Sequence, residues 1–419
     1  MTDIIHTTEA APPGYQHTNA GVLPNEWESR PLSSIVEEIA ETAGTRKIET
    51  VSISAGIGFV NQAEKFGREL SGKQYEKYTV LHQGDFSYNK GNSNLYPQGC
   101  IYRLNDRTEA AVPNVFESFQ VADGDPDYYE QLFISGFLNK QLYSKINRGI
   151  RDDGLLNLTG KDFFSCEVPV PPLAEQKKIA DILMQCDKVI ELKQKRIEEE
   201  KKKKVWLCQQ ILTGKIRLNG CEAPWVKTTI GKQVEYLVGY PFESANFLSS
   251  GIKLLRGSNV KRGNLSWEPT ITAYWNEDSN LLTYFLQEGD IVIAMDGAQV
   301  GRSFSRIDNN DLPCYLVQRV ARLRSNINGL ILQWIGESHF ARHIDQRKTS
   351  TAIPHMTIKD ILSYGISIPI DKIEIEQISQ LLNQQDRLID LLEKELSELR
   401  DRKVSLAHLL LTGIVRTEA

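Results

Sequence analysis

Pro171-Pro172-Leu173-Ala174-Glu175-Gln176-Lys177-Lys178-Ile179-Ala180-Asp181-Ile182-Leu183, closing at Leu212-Thr213-Gly214, is matched by Asp371-Lys372-Ile373-Glu374, which runs through Ile378, Leu381 and Leu382 to Leu411-Thr412-Gly413. The two copies lie about 199 residues apart, as Ile179 against Ile378 illustrates, and each follows a different stretch of about 150 residues. A repeated frame carrying two dissimilar heads is an arrangement for recognising two things at a set distance.

Steps of four and three from Ile378 reach Leu382, Gln385, Ile389, Leu392, Leu396, Leu399, Lys403, Leu406 and Leu410, the spacing of a coiled-coil seam. The same register in the first copy passes through Ile179, Leu183, Cys186, Ile190, Lys193, Ile197, Glu200, Lys204, Leu207 and Ile211. Two seams predict one pair of helices, each of about 40 residues and roughly 60 Å long. Pro171-Pro172 marks one helix start, Asp371 with Glu374 reads as a capping box at the other, and Gly214 and Gly413 suit the left-handed position past a helix end. Antiparallel pairing is expected, because it sets the heads at opposite ends about a pseudo-twofold axis. The run Glu198-Glu199-Glu200-Lys201-Lys202-Lys203-Lys204 reads as a solvated helical face.

The repeat divides the chain into a loose tail over residues 1–16, a head over 17–172, a spacer helix over 173–216, a second head over 217–371 and a second helix over 372–415. The fold class is therefore α+β: two α/β heads separated by two long helices that form an antiparallel coiled coil. The heads begin alike, with Trp27 and Trp225, and share faint internal matches. Leu81-His82-Gln83-Gly84-Asp85 corresponds to Leu286-Gln287-Glu288-Gly289-Asp290, a turn entering a strand, and Leu158-Thr159-Gly160-Lys161-Asp162 corresponds to Met356-Thr357-Ile358-Lys359-Asp360. In the first head the turn leads into Phe86-Ser87-Tyr88-Asn89-Lys90 rather than an apolar strand.

A length of 419 residues accommodates two or three domains, each with its own core. There is no run of 18 apolar residues and no signal-peptide pattern at Met1-Thr2-Asp3-Ile4-Ile5-His6, which implies a cytoplasmic protein with no membrane partner. Six cysteines without a Cys-x-x-Cys pair favour reduced thiols over disulfides or zinc. A net charge of −5 gives no global pull on nucleic acid, so any such contact needs local basic clusters.

Catalytic patterns are missing. The sequence has no phosphate-binding Gly-x-x-x-x-Gly-Lys-Ser/Thr loop and no Asn/Asp-Pro-Pro-Tyr/Phe of adenine methyltransferases. His339 and His343 lack the intervening Glu of a zinc protease and read as a surface pair, and Pro126-Asp127 has no Glu-x-Lys partner for a nuclease metal site. No catalytic or metal-ligating residues are assigned.

The heads do carry polar, Gly-bearing segments. In the second they supply Arg256, Ser258, Asn259 and Lys261, then Arg302, then Arg347, Lys348 and Thr349; in the first they supply Lys90, Asn92 and Asn94, then Arg148 and Arg151. Arg pairs with guanine O6 and N7, Asn with adenine N6 and N7, and Lys, Ser and Thr hold phosphates. Any one such segment is ordinarily a solvated loop. Their weight comes from matched positions, since Arg148–Arg151 and Arg347–Lys348 both precede the Thr-x-Lys-Asp or Thr-Gly-Lys-Asp element that leads to a spacer helix.

The repeated Pro-Pro-Leu-x-Glu-Gln-x-x-Ile-Ala-x-Ile-Leu helix ending in Leu-Thr-Gly-Lys-Ile, with Gly239-Tyr240-Pro241-Phe242-Glu243-Ser244 and Gly251-Ile252-Lys253-Leu254-Leu255-Arg256 in the second head, resembles the specificity subunit of type I restriction-modification enzymes. The second copy departs from that pattern at Ile368-Pro369-Ile370-Asp371. The resemblance implies two target-recognition domains that read the halves of an interrupted, asymmetric double-stranded DNA sequence. It implies as partners two modification subunits, which bind S-adenosylmethionine and methylate adenine, and through them ATP- and Mg-dependent restriction subunits. The chain itself is expected to bind no cofactor and to be non-catalytic. The alternative is a coiled-coil interaction scaffold whose heads bind proteins instead of DNA.

Overall fold

Short strands buried on both faces build the centre of each head, and a long 3.5-residue period builds the helices. The computed structural model describes residues 10–67, 72–91, 96–146, 156–218 and 220–417. They form two compact units, Met1–Gln194 with Glu395–Ala419, and Lys195–Lys394.

In the first unit a four-stranded antiparallel sheet runs in the order Val36–Glu38, Glu117–Val121, Phe86–Asn89, Cys100–Arg103. In the second, the order is Glu235–Val238, Val320–Arg324, Ile291–Ala294, Phe304–Arg306, again antiparallel. Phe86 faces Phe119 as Ile291 faces Leu323, so the two Gly-Asp turns enter equivalent strands. Phe86-Ser87-Tyr88-Asn89 is thus a strand after all. Its outer polar position, Ser87, is buried and hydrogen-bonded to Ser118 Oγ at 3.1 Å, while Phe86 stacks on Phe119 and Tyr88 on Phe163. In the second head all four residues of Ile291–Ala294 are buried, Ile291 and Ile293 in one core cluster and Val292 and Ala294 in another. That covering of both faces is why the strand reads as a continuous apolar run.

A small sheet joins the start of each head to its end: Glu28–Pro31 with Glu167–Val170, and Trp225–Thr229 with Gly365–Pro369. Thr159 with Asp162 and Thr357 with Asp360 each close a capping box on the short helix before that last strand. The remaining strands differ. The second head has a three-stranded sheet in which Ile252–Leu255 lies parallel to Cys314–Leu316 and antiparallel to Ala273–Trp275, whereas the first has separate pairs, Val51–Ser54 with Gly58–Asn61 and Thr79–His82 with Glu109–Val112. At the amino terminus, Tyr15–Thr18 and Gly21–Pro24 form a hairpin whose Leu23 is buried, so the expected loose tail is already ordered at Tyr15.

The long helices span Leu173–Ile211 and Lys372–Leu411. Of the seam residues, Ile179, Leu183, Ile197, Ile211, Ile378, Leu382, Ile389, Leu392, Leu396 and Leu410 are buried, and Ile190, Leu207, Leu399 and Leu406 are half-buried. In the first unit Ile179 and Leu183 share a core with Leu410, and Lys403 pairs with Asp187 at 2.5 Å and Lys193 with Glu395 at 2.7 Å. In the second, Ile211 shares a core with Ile378 and Leu382, and Lys201 pairs with Glu393 at 2.5 Å and Lys204 with Asp386. Within each unit the partner's number falls as the residue's own rises, so the segments are antiparallel. A buried Leu or Ile is worth about 1.5–3 kcal/mol and an exposed ion pair about 0–1 kcal/mol, so the seam supplies the stability and the rim pairs fix register. Part of the Lys201–Lys204 run therefore faces the other helix instead of lying wholly in solvent.

Each unit repeats one clasp at a helix start. Glu175, 3% exposed, accepts two bonds from Arg416, at 2.7 and 2.9 Å, and one from Trp27 Nε1 at 3.0 Å. Glu374, fully buried, accepts two from Arg217, at 2.7 and 2.8 Å. The guanidinium of Arg416 lies over the Trp27 ring, and that of Arg217 over Trp225. Glu374 is thereby removed from the expected capping box; Asp371 alone caps, accepting from Ile373 N at 2.9 Å. Gly214 and Gly413 take φ of 70° and 69°, and a Cβ on Gly413 would stand 2.5 Å from Pro24 Cγ, so this turn can pass the head only as glycine.

Candidate nucleic-acid interface

The second head gathers four loops at the carboxyl end of strand Ile291–Ala294, and backbone hydrogen bonds tie them together. Met295 N donates to Arg319 O at 3.1 Å, Met356 N to Met295 O at 2.9 Å and Gly297 N to Pro354 O at 3.0 Å. Gln318 N donates to Tyr240 O, and Tyr240 N to Leu316 O, both at 3.0 Å. A fifth loop, Arg256–Asn259, follows strand Ile252–Leu255, whose Leu255 O accepts from Val317 N at 3.1 Å. Segments far apart in sequence thus form one ordered edge.

The loop after Lys348 closes on itself. Thr349 N donates to His355 O, His355 N donates to Thr349 Oγ1, each at 3.0 Å, and Thr349 Oγ1 lies 2.9 Å from His355 Nδ1. Thr351 Oγ1 donates to Ile353 O at 2.7 Å. This clasp presents Ser350, Thr351, Ala352 and Ile353 to solvent, with Ile353 67% exposed.

The expected contact residues separate into two groups. Ser258, Lys261 and Arg347 are exposed, with Arg347 Nη1 donating to His343 O at 3.0 Å. Others are engaged within the head. Asn259 is fully buried, accepting from Arg256 N and donating to Ser266 O, both at 3.0 Å, so its amide shapes the loop. Arg256 donates to Ile271 O and lies over the Phe247 ring. Arg302 makes a two-pronged pair with Asp345 at 2.5 and 3.1 Å, and Lys348 reaches the same carboxylate at 2.7 Å. Hydrogen bonds from Arg302 first and Lys348 second hold the Asp345 carboxyl well below the usual carboxylate range. Thr349 contributes through the clasp.

In the first head Lys90 pairs with Glu117 at 2.5 Å and donates to Leu158 O at 3.3 Å, which makes it a brace between strands. Asn92, Asn94, Arg148 and Arg151 lie outside the described residues. His343 is half-buried, its Nε2 2.9 Å from Asp360 O and its ring against Tyr364, so the expected surface pair reduces to exposed His339. Among the described residues no group of three His, Cys, Asp or Glu side chains is placed to hold a metal ion, and no helix is long and apolar enough to cross a membrane.

The same edge exposes Gln299, which lies in one of the polar, Gly-bearing segments, and residues that the sequence did not single out, Gln318, Arg319 and Ile353. Only the pairing of Tyr240, Met295 and Pro354 with one another's loops brings them together, and no local pattern carries that information. What the edge offers chemically is hydroxyls, amides and exposed cations on an ordered base, the groups that meet phosphates and base edges.

A family model described as the type I restriction modification DNA specificity domain matches residues 11–201 and 227–401. The MjaVIII type I restriction enzyme specificity subunit of Methanocaldococcus jannaschii is 26% identical over 284 residues, 63% of this chain and 66% of that protein, so the match falls just short of two thirds of its length. The EcoAI specificity subunit of Escherichia coli is 32% identical over 143 residues, covering 33% of this chain and 24% of that one. A putative MjaX specificity subunit, also from Methanocaldococcus jannaschii, is 24% identical over 450 residues and matches 96% of this chain and 97% of its own. Among solved structures, the S subunit of a type I restriction-modification system from M. genitalium is similar in fold, with a TM-score of 0.58, 14% identity, and coverage of 92% of this chain and 96% of that one.

Proposed function

Because the chain belongs to the family of type I restriction modification DNA specificity domains, we propose that it is the specificity subunit of such a system, each head reading one half of an interrupted DNA target. The observation that carries this reading is the repetition itself: the same four-stranded order and the same helix-start clasp occur in both units, under strands and loops that differ. A shared scaffold gives both readers the same approach to a duplex, and different loops give them different sequences. The antiparallel helices set the distance between half-sites, which the groove makes periodic at about one helical turn.

On this reading the chain is non-catalytic. It recruits two modification subunits that bind S-adenosylmethionine and methylate adenine, and through them restriction subunits that use ATP and Mg. Exposed Ser258, Lys261 and Arg347 are the contacts proposed for the second head, with Asn92, Asn94, Arg148 and Arg151 proposed for the first.

Sequencing methylated adenines in DNA from cells that carry the chain and its modification partner tests this directly. A motif with two fixed halves and an unspecified gap is the expected result, and exchange of residues 230–360 for the same head of a relative should change one half alone. Methylation without any motif, or both halves changing together, would refute it.

A further inference from the structure

We propose that the Gln318-Arg319 turn is a base-reading element of the second head, with Arg319 taking the O6/N7 edge of a guanine in the major groove. This rests on the DNA reading above and adds to it a residue and a base.

Three observations converge on the turn. The first is charge without a local use. Arg256, Arg302, Arg322 and Arg324 each donate to a carbonyl or carboxylate of the head, the last two to Glu235 at 3.1 Å and to Asp290 at 2.6 and 2.7 Å. Arg262 donates to Gly336 O at 2.9 Å. Arg319 is exposed, and among the described residues nothing pairs with its guanidinium. Gln318 beside it is exposed as well.

The second is rigidity. Gln318 N is held by Tyr240 O at 3.0 Å, Arg319 O by Met295 N at 3.1 Å, and Val320 N by Val317 O at 2.9 Å. The turn leads directly into Val320–Arg324, a central strand of the sheet. An arginine on such a base gives up little backbone freedom on binding, whereas one on a loose loop would have to be ordered first.

The third is the close approach that fixes the turn. Gly239 lies so near Val317 and Gln318 that a Cβ there would stand 2.2 Å from Val317 C and 2.7 Å from Gln318 N. Only glycine lets the 239–242 segment press the turn into place, and Tyr240, 37% exposed, flanks it. The turn also borders Met295, from which the chain continues to Gly297 and its bond to the Thr349–His355 loop. Hydroxyls for phosphate contact and a guanidinium for a base edge thus lie on one ordered surface, the division of labour that duplex recognition requires. The guanidinium fork matches the two acceptors of guanine, and a glutamine amide matches the donor and acceptor of adenine, so the pair favours neighbouring purines.

The experiment is a selection from a randomised duplex pool by the full-length chain, co-expressed with its modification partner, comparing wild type, Arg319→Ala, Arg319→Lys and Gly239→Ala. Arg319→Ala is expected to melt like wild type, since the side chain is exposed, and to lose preference for guanine at one position of one half-site by about 10- to 100-fold. The other half-site and the salt dependence should stay close to wild type. Gly239→Ala keeps both side chains but displaces the turn, and should relax that same position. Retention of every base preference by Arg319→Ala, or uniform weakening with a shallower salt dependence as for a phosphate contact, overturns the assignment while leaving the DNA reading intact. A wild-type chain that selects no motif overturns both together.

Discussion

Arg416→Met is the substitution whose consequence can be worked out most fully. Glu175 is 3% exposed and accepts three side-chain bonds, two of them from Arg416, whose side chain is 38% exposed, beside one from the Thr417 backbone. Removing the guanidinium leaves a buried carboxylate held by the Trp27 indole and the Thr417 backbone N–H. Breaking one side of a buried pair costs about 3–5 kcal/mol, and the partial exposure of Arg416 places this case near the lower end, about 3 kcal/mol. At about 2–4 °C per kcal/mol for a unit of this size, the melting transition of the unit containing Trp27 should fall by roughly 6–12 °C. Glu175→Gln keeps an acceptor for Trp27 and should cost less, about 1–2 kcal/mol.

The pH dependence gives an independent check. Burial raises the Glu175 carboxyl, and the bonds from Arg416 and Trp27 outweigh it, so the group titrates below its ordinary range. Its contribution is therefore present above the unfolded value of about 4.3 and is lost as pH falls through the folded value. In Arg416→Met burial prevails, the folded value rises, and the variant's deficit should shrink between pH 7 and pH 5 as the carboxyl takes up a proton. Calorimetry at both pH values, with hydrogen exchange of Glu28–Pro31 to identify the transition, measures this. A deficit under about 1 kcal/mol, or one equal at both pH values, would show that the clasp contributes little. Glu26→Gln, which removes the exposed partner of Arg416, serves as a control with no expected change.

Two further outcomes follow from the frame and the second head. Four residues inserted after Glu199, about one turn or 6 Å of helix, should lengthen the unspecified gap or abolish binding, and an unaltered methylation motif would rule out the helices as a ruler. Asp345→Asn releases Arg302 and Lys348 from their shared carboxylate, so the log–log salt dependence of DNA binding should steepen by up to about 2; an unchanged slope would place both cations away from the duplex.

The helices and the repeat were legible in the sequence because their signals are local and long. A seam such as Ile378, Leu382, Ile389, Leu392 and Leu396 repeats over a whole helix, and every one of these residues is buried. Thr-x-x-Asp boxes and the glycines past each helix end are also set by neighbours within a few residues. Glu374 shows where local reading stops. Its spacing from Asp371 fits a capping box, yet its carboxylate turns to Arg217, because a charge-assisted pair in a buried place outweighs one backbone bond.

The heads show the same limit more strongly. That polar, Gly-bearing loops would collect on them could be read from composition, but not which side chains would remain free. Asn259, Arg302 and Lys90 have the residue types that contact DNA, and the fold engages them through Ser266, Asp345 and Glu117, partners with no fixed sequence offset. Arg319 carries no motif, and its exposure depends on strands and loops that meet only across the sheet. By itself the sequence determined the number of heads, the two helices and the seam that pairs them, since periodicity and capping are written along the chain. Only the tertiary structure decided which charges are neutralised and which face solvent, because pairing between distant segments depends on where the backbone brings them.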